Sequence, residues 1–150
     1  VVGNDYGNEV FAGRYDAFNG LVLLGDGSGH FEPMGPAHSG FYVAGDAKAL
    51  VRVSNDEGDF LIASQNKDSL RVFQRNLSGG AQPFVPQPLD VSAELKFRSG
   101  QTQKVEFTHG SGYLSQSTRA IRVPADVVSV IVYDSKGRAR TIESGSGIIP

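Results

Sequence analysis

Short apolar runs separated by turn residues recur along the chain. Leu21–Leu24, an Asp-Gly turn and His30–Pro33 form a pattern that predicts a β-hairpin. Ala49–Val53 and Phe60–Ala63 flank a polar tip and predict a second hairpin, and Ser69–Phe73 predicts a third strand in meander order. Four short antiparallel strands joined by tight turns match one propeller blade. The same pattern also matches any antiparallel meander, and periodicity alone does not separate the two.

The same alternation returns in the second half of the chain. Ala93–Arg98 turns at a Ser-Gly pair and Lys104–Phe107 returns along it, with polar residues on one face. Arg119–Val123, Val127–Tyr133 and Arg138–Ile142 complete about five strands. The fold class expected for the whole chain is therefore all-β.

Proline and glycine mark the boundary between the two halves. Pro83, Pro86 and Pro88 lie within residues 76–88, and proline lacks the backbone donor that a central strand needs. We therefore expect a first region at 1–75, a linker at 76–88, a second region at 89–143 and a tail at 144–150.

Composition narrows the function classes. Glycine, at 19 of 150 residues, is nearly twice its usual share of roughly 7%, which favours short strands over long helices. Lys and Arg number 14 against 16 Asp and Glu, and such a nearly balanced charge does not predict a nucleic-acid partner. The absence of cysteine excludes disulfides, thiolate zinc sites and cysteine nucleophiles. No apolar run reaches the ~18–20 residues of a membrane span, so no membrane insertion is expected.

Two segments resemble known families. Leu23–Phe31, with the sequence LLGDGSGHF, is similar to the L-x-N-D-G-x-G-x-F hairpin of FG-GAP/VCBS repeats. Gly110–Ser117, with the sequence GSGYLSQS, resembles the signature of the ASPIC/UnbV family. These resemblances imply an antiparallel propeller-like blade at 1–75, followed by a small β-sandwich-like ASPIC/UnbV-type domain at 89–143.

The resemblances also imply a setting. ASPIC/UnbV modules stand at the C-terminal end of secreted proteins built from propeller repeats, so the implied location is extracellular or at the cell surface, including the bacterial periplasm or outer surface. The implied partners are the preceding propeller blades of the parent chain and an extracellular glycan or protein. The implied function is a non-catalytic binding or adhesion module.

Calcium is the one cofactor that the resemblance raises. FG-GAP/VCBS repeats often carry an Asp-x-Asp-x-Asp-Gly loop, whose oxygens suit a hard cation. At the matching place only Asp46 remains, and Lys48 puts a cation where the metal charge would be. Asn55–Asp59 has suitable residue types but lies at a hairpin tip, where they serve the turn. We therefore expect no cofactor and no metal ligands, with calcium as the alternative.

The strongest recognition candidate is the long connection Phe11–Gly20, which mixes aromatic residues with Arg, Asp and Asn. A second aromatic pair follows at Phe41 and Tyr42. The alternative is that these rings cap the edge of the sheet or pack a joint to a neighbouring blade. For Tyr113 the alternative is a place in the core. For Gln116 it is hydrogen bonding to backbone groups at the glycine-rich bend. The predicted ligand contacts are Arg14, Tyr15, Asp16, Phe18, Asn19, Phe41, Tyr42, Tyr113 and Gln116.

No catalytic residues are predicted. His109 and Ser111 are separated by a glycine and lie between strands, unlike the Gly-x-Ser-x-Gly elbow that opens a helix. The aspartates lie in turn-like contexts, and no pair of them is singled out for glycosidase chemistry. Two alternatives to the binding module stay open: a structural cap of the propeller without a ligand, and an accessory domain of a polysaccharide hydrolase or lyase.

Overall fold

The computed structural model describes residues 2–6, 11, 13–55, 57–76, 80–112 and 115–143. These residues form thirteen strands and one helical turn, and the strands pair antiparallel into open sheets. The all-β class predicted from the sequence is confirmed. Among the described residues, no helix has the length and apolar character needed to cross a bilayer.

The described residues of the first half form seven strands in three separate sheets. Their bounds are β1 (Asn4–Asp5), β2 (Tyr15–Asp16), β3 (Val22–Gly25), β4 (Phe31–Met34), β5 (Ala47–Asn55), β6 (Gly58–Gln65) and β7 (Asp68–Gln74), with the helical turn α1 (Pro36–Ser39) between β4 and β5. β1 pairs with β2, β3 with β4, and β5, β6 and β7 form a meander.

Both predicted hairpins are present, and among the described residues they belong to separate sheets. β3 and β4 make a sheet of their own and do not join the β5–β7 sheet. Pro36 begins α1, Gly40 ends it at a φ of 67°, and the chain then packs its apolar side chains against the β5–β7 sheet. Burial of that connection separates the hairpin from the meander.

The connection after α1 supplies the centre of the first hydrophobic core. Phe41 and Val43 are 4% and 1% exposed and lie with the fully buried Ala63 of β6. The rings of Phe41 and Phe73 are 4.8 Å apart between centroids. One face of the β5–β7 sheet is thereby covered.

The opposite face of the β5–β7 sheet is apolar as well. The register pairs Val51 with Ile62 and Val53 with Phe60, and Ile62 with Val72. None of these four β5 and β6 side chains belongs to a described core cluster, and Val72 is 59% exposed. This face, which we call the open face of the sheet, presents half-buried and exposed apolar side chains that belong to neither core cluster of the described residues.

In the second half, the part of the chain that the structure describes contains the five strands expected from the sequence and one more. Their bounds are β8 (Gln82–Phe84), β9 (Asp90–Phe97), β10 (Thr102–Glu106), β11 (Ile121–Val123), β12 (Val127–Asp134) and β13 (Ala139–Glu143). β10, β9, β12 and β13 form one sheet in that order, and β8 pairs with β11 in another. Both sheets contribute to one core, which contains Phe84, Ala93, Leu95, Phe107, Ile121, Val123, Val127, Val130 and Val132.

The additional strand, β8, lies in the segment that the sequence predicted to be a linker. Pro83 pairs with Arg122 of β11 in a sheet of two strands. A two-stranded sheet consists of edges alone, so the missing N–H of proline is tolerated there. Phe84 is 4% exposed and packs against Phe107 with ring centroids 5.9 Å apart.

The two halves are joined along the free edge of β5. The Arg52 N–H donates to Ser117 Oγ at 2.9 Å, and Thr118 N–H donates to Arg52 O at 2.8 Å. The Ser54 N–H donates to Thr118 Oγ1 at 2.8 Å. The segment after the glycine-rich bend thus satisfies the edge groups that β5 would otherwise leave unpaired.

An ion pair anchors the start of β9. The Asp90 carboxylate is 1% exposed in its side chain and is held by the Arg140 guanidinium, and its Oδ2 accepts the Gln87 N–H at 2.7 Å. Arg140 lowers the pKa of Asp90, and burial opposes this shift in part. Because the folded chain holds this carboxyl less protonated than the unfolded chain does, the pair stabilises the fold above the ordinary carboxyl pKa and loses this effect as pH falls.

We expect Asp90→Asn to lower the free energy of unfolding at pH 7 by about 3 kcal/mol, the lower end for a buried pair, because Arg140 remains 35% exposed. The difference from the unmodified protein should shrink below pH 4, where the carboxyl is protonated in the unfolded chain. Urea denaturation at pH 7 and pH 3 measures both effects. Asp126→Asn, at an exposed carboxylate, should change stability by less than about 0.5 kcal/mol. A pH-independent deficit at Asp90 would contradict this assignment.

Thr118→Val should cost about 1–3 kcal/mol because it leaves the Ser54 N–H without its acceptor. The change preserves shape, so its effect reports the hydrogen bonds of the Thr118 hydroxyl, which also donates to Arg52 O at 3.3 Å. Hydrogen exchange should accelerate at the Ser54 amide more than at amides in the centre of the β9–β12 pair. Thr102→Val, at an exposed position of β10, is the matched control. Unchanged exchange at Ser54 would rule out this means of joining the halves.

Candidate functional site

A pocket of about 420 Å³ opens beside the pairing of β1 with β2. Five of the residues predicted to contact ligand line it, and they come from the two sequence segments that were singled out for recognition. The lining residues are Asn4, Tyr6, Arg14, Asp16, Ala17, Phe18, Asn19, Tyr42 and Ala44. The volume falls within the roughly 300–1,000 Å³ of small-molecule sites. We call this site the Arg14 pocket.

Asn4 organises the floor of the Arg14 pocket. Its side chain is buried, and the Nδ2 group donates to Asn19 Oδ1 at 2.8 Å and to Ala44 O at 3.1 Å. Its Oδ1 accepts the Phe18 N–H at 3.1 Å. A single buried amide therefore fixes the loop of Phe18 and Asn19 against the chain at Ala44.

Arg14 and Asp16 form a two-point ion pair at the mouth of the pocket. The Arg14 Nε lies 2.9 Å from Asp16 Oδ2 and its Nη2 lies 3.2 Å from Oδ1. The guanidinium also lies over the ring of Tyr6, 3.9 Å from its centroid. Such a planar arrangement holds donors and acceptors in a fixed orientation.

The pKa values of Asp16 and Tyr6 follow from the same contacts. The hydrogen bond from Arg14 lowers the pKa of Asp16, and the Tyr6 hydroxyl adds to that effect. Partial desolvation raises the pKa of Tyr6, and the Asp16 carboxylate beside it raises it further. At neutral pH the pocket therefore presents an ionised carboxylate, a guanidinium and a neutral phenol.

The aromatic residues predicted to bind ligand separate into two groups. Tyr42 and Phe18 are 52% and 39% exposed and line the pocket, and Tyr15 is exposed on β2 outside it. Phe41 is 4% exposed and stacks on Phe73, so its prediction as a ligand contact is corrected: it is a core residue. Its neighbour Tyr42 is exposed and lines the pocket, so these two adjacent rings lie on different sides of the chain.

The remaining two predicted contacts lie at the glycine-rich bend. Gln116 accepts the Gly110 N–H and donates to Ser117 O at 2.6 Å. Its amide therefore satisfies backbone groups at the bend, which is the alternative role that the sequence analysis gave this residue. Tyr113 lies outside the described residues. A contact of either residue with ligand stays a prediction.

Asn4 and Tyr6 were missed by the sequence analysis. They belong to a short polar segment whose residue types are those of an ordinary turn, so its composition did not indicate a binding site. Their place in the pocket depends on the pairing of Asn4 with Asp16, which joins segments twelve positions apart. Neither periodicity nor a motif signals that pairing.

The residue predicted to be the remnant of a calcium loop is engaged by a lysine. Asp46 is 5% exposed, and Lys48 Nζ lies 2.6 Å from its Oδ1 and 2.9 Å from Asp5 Oδ1. Asn66 Nδ2 donates to Asp46 Oδ2 at 3.1 Å. Burial raises the pKa of Asp46, but the bonds from Lys48 and Asn66 outweigh it and lower the pKa overall. A cation at Asp46 would have to displace the Lys48 ammonium.

The serine that was weighed as a nucleophile has a backbone partner. Ser111 Oγ accepts the Ser117 N–H at 2.9 Å, and His109 is exposed. Gly110 adopts a φ of 69°, and Gly112 and Ser115 form an isolated antiparallel bridge. These contacts describe a tight bend in which the Ser111 hydroxyl accepts a hydrogen bond from the backbone.

Comparison of the chain with protein-family models, with curated proteins and with solved structures finds no match.

Asn4→Ala should lower the free energy of unfolding by about 1–3 kcal/mol, because it removes the acceptor of the Phe18 N–H and the donor to Ala44 O. Exchange of the Phe18 amide should accelerate with it, since that amide loses its partner. Asn76→Ala, at an exposed asparagine, should stay within about 0.5 kcal/mol of the parent. Equal effects of the two variants would show that Asn4 does not organise the pocket.

Proposed function

We propose that this protein is a non-catalytic extracellular binding module that recognises a glycan through the Arg14 pocket. The observation that carries the proposal is the meeting of exposed aromatic rings, side-chain amides and a fixed Arg–Asp pair around one cavity. Small-molecule sites combine apolar walls with a few placed polar groups in this way.

A sugar ring matches both components of the pocket. Tyr42 and Phe18 offer flat apolar surfaces to the C–H face of a pyranose, and their rings lose little conformational entropy on binding. Neighbouring hydroxyls of a sugar both donate and accept, so they suit a carboxylate and a guanidinium held side by side.

Two features support binding without turnover. Of the described residues that line the Arg14 pocket, Asp16 is the one carboxylate. Its pKa is lowered by Arg14, whereas a glycosidase acid needs a raised pKa and a second carboxylate nearby. Asp16 is therefore suited to accept hydrogen bonds from a ligand.

The wider setting that we propose is the C-terminal end of a larger propeller-repeat protein. The support is the resemblance of Leu23–Phe31 to FG-GAP/VCBS repeats and of Gly110–Ser117 to ASPIC/UnbV domains. The open face of the β5–β7 sheet favours a preceding blade as partner, because propeller blades bury their faces on one another. The same observation favours a second candidate function, a structural cap that completes such a propeller and has no ligand.

A glycan screen read by thermal shift tests the proposal. A neutral sugar that raises the melting temperature should bind at least about tenfold more weakly to Tyr42→Ala and to Phe18→Ala, because each change removes an aromatic anchor. Phe31→Ala, at an exposed aromatic residue of β4 away from the pocket, is the matched control. Isothermal titration calorimetry supplies the dissociation constants.

Calcium forms the second arm of the same screen. No calcium-dependent rise in melting temperature is expected, because Lys48 already neutralises Asp46 and Asp5. Indifference to every glycan would favour the structural cap. A glycan affinity that survives both alanine changes would place recognition away from the Arg14 pocket.

A further inference from the structure

A second and larger cleft lies where the two halves of the chain meet. Its volume is about 700 Å³, and it is separate from the Arg14 pocket. Leu95, Gln103 and Val105 contribute from the β9–β10 pair, and the register places these three on one face. Arg52 and Arg75 come from the β5–β7 half, and Arg122 comes from β11.

The three arginines of the cleft differ in how they are neutralised. Arg75 forms an ion pair with the buried Asp59. Within the part of the chain that the structure describes, neither Arg52 nor Arg122 has a carboxylate within 4.0 Å. Two guanidinium groups without an ion-pair partner among the described residues therefore line one cavity. The same lining includes one carboxylate, that of Asp126, at an exposed position.

The hydrogen-bonding capacity of these two groups is largely unused by the described residues. Arg52 Nη2 donates to Ala120 O at 2.8 Å, and Arg122 Nη2 donates to Asn55 O. These bonds orient the two side chains across the joint, while a guanidinium carries five N–H donors. Arg122 Nε is buried and has no hydrogen-bond partner among the described residues. The described fold therefore leaves part of the donor capacity of this side chain unused.

We propose that this cleft binds an oxyanion, a carboxylate or sulfate group, between Arg52 and Arg122. Planar guanidinium groups match such anions with paired hydrogen bonds, and they bind most strongly where water is partly excluded. Leu95, Val105 and Ile121 add an apolar wall, which suits the ring of an acidic sugar, whereas a free inorganic anion would use the two guanidinium groups alone. The two sources share the same anionic chemistry.

Titration of the whole chain with sodium glucuronate, sodium sulfate and glucose, at constant ionic strength, tests the site. The Nε–H resonances of Arg52 and Arg122 should shift saturably with either anion and stay unchanged with glucose. Tighter binding of glucuronate identifies an acidic saccharide as the ligand, and equal or tighter binding of sulfate identifies a free anion. Absence of a saturable shift with both anions would overturn the proposal.

Two variants with opposite expected effects separate binding from folding. Arg122→Gln should weaken anion binding about tenfold, as loss of a charge-assisted hydrogen bond predicts. Asp126→Asn removes a repelling charge and should tighten binding about twofold without touching the bonds of the joint. Arg138→Gln, which removes an equal charge at an exposed turn outside the cleft, should leave affinity unchanged. Equal affinities of the parent and both cleft variants would overturn the assignment, whatever the outcome for the Arg14 pocket.

Discussion

The hydrogen bonds along the free edge of β5 are the constraint on which the arrangement of the two halves depends. An edge strand needs partners for its backbone groups, and the segment around Ser117 and Thr118 supplies them through side chains as well as backbone. That segment also leads into β11, so the same contact brings Arg122 into the cleft that Arg52 lines. The cleft between the halves is thus a consequence of satisfying one strand edge.

Buried polar groups play a comparable part in each half. Asn4 joins three segments of the first half through one amide, and Asp90 ties β9 to β13 through Arg140. Both side chains are almost fully removed from water, where an unsatisfied polar group is costly and a satisfied one specifies a single arrangement. The apolar cores supply the bulk of the stabilisation, and these polar contacts determine how the loops above them are placed.

Strand positions were predictable because their signal is local. The hairpin at Val22–Met34 and the meander of β5, β6 and β7 follow from alternation and turn residues, and the five later strands fall where alternation predicted them. β8 was missed because its prolines argue against a central strand, whereas the structure uses it in a two-stranded sheet. The grouping of strands into sheets depends on contacts between distant segments, which periodicity does not record.

The sequence by itself determined the all-β class, the turn positions and the mixed aromatic and polar composition of the segment around Arg14. Only the tertiary structure decided that Tyr42 lines the pocket while Phe41 enters the core, and that Asn4 and Tyr6 complete the site. It also decided that arginines from β5 and β11 share one cleft. The physical reason is that local backbone preference depends on neighbours in the chain, whereas burial, charge pairing and cavity formation depend on segments that meet only after folding.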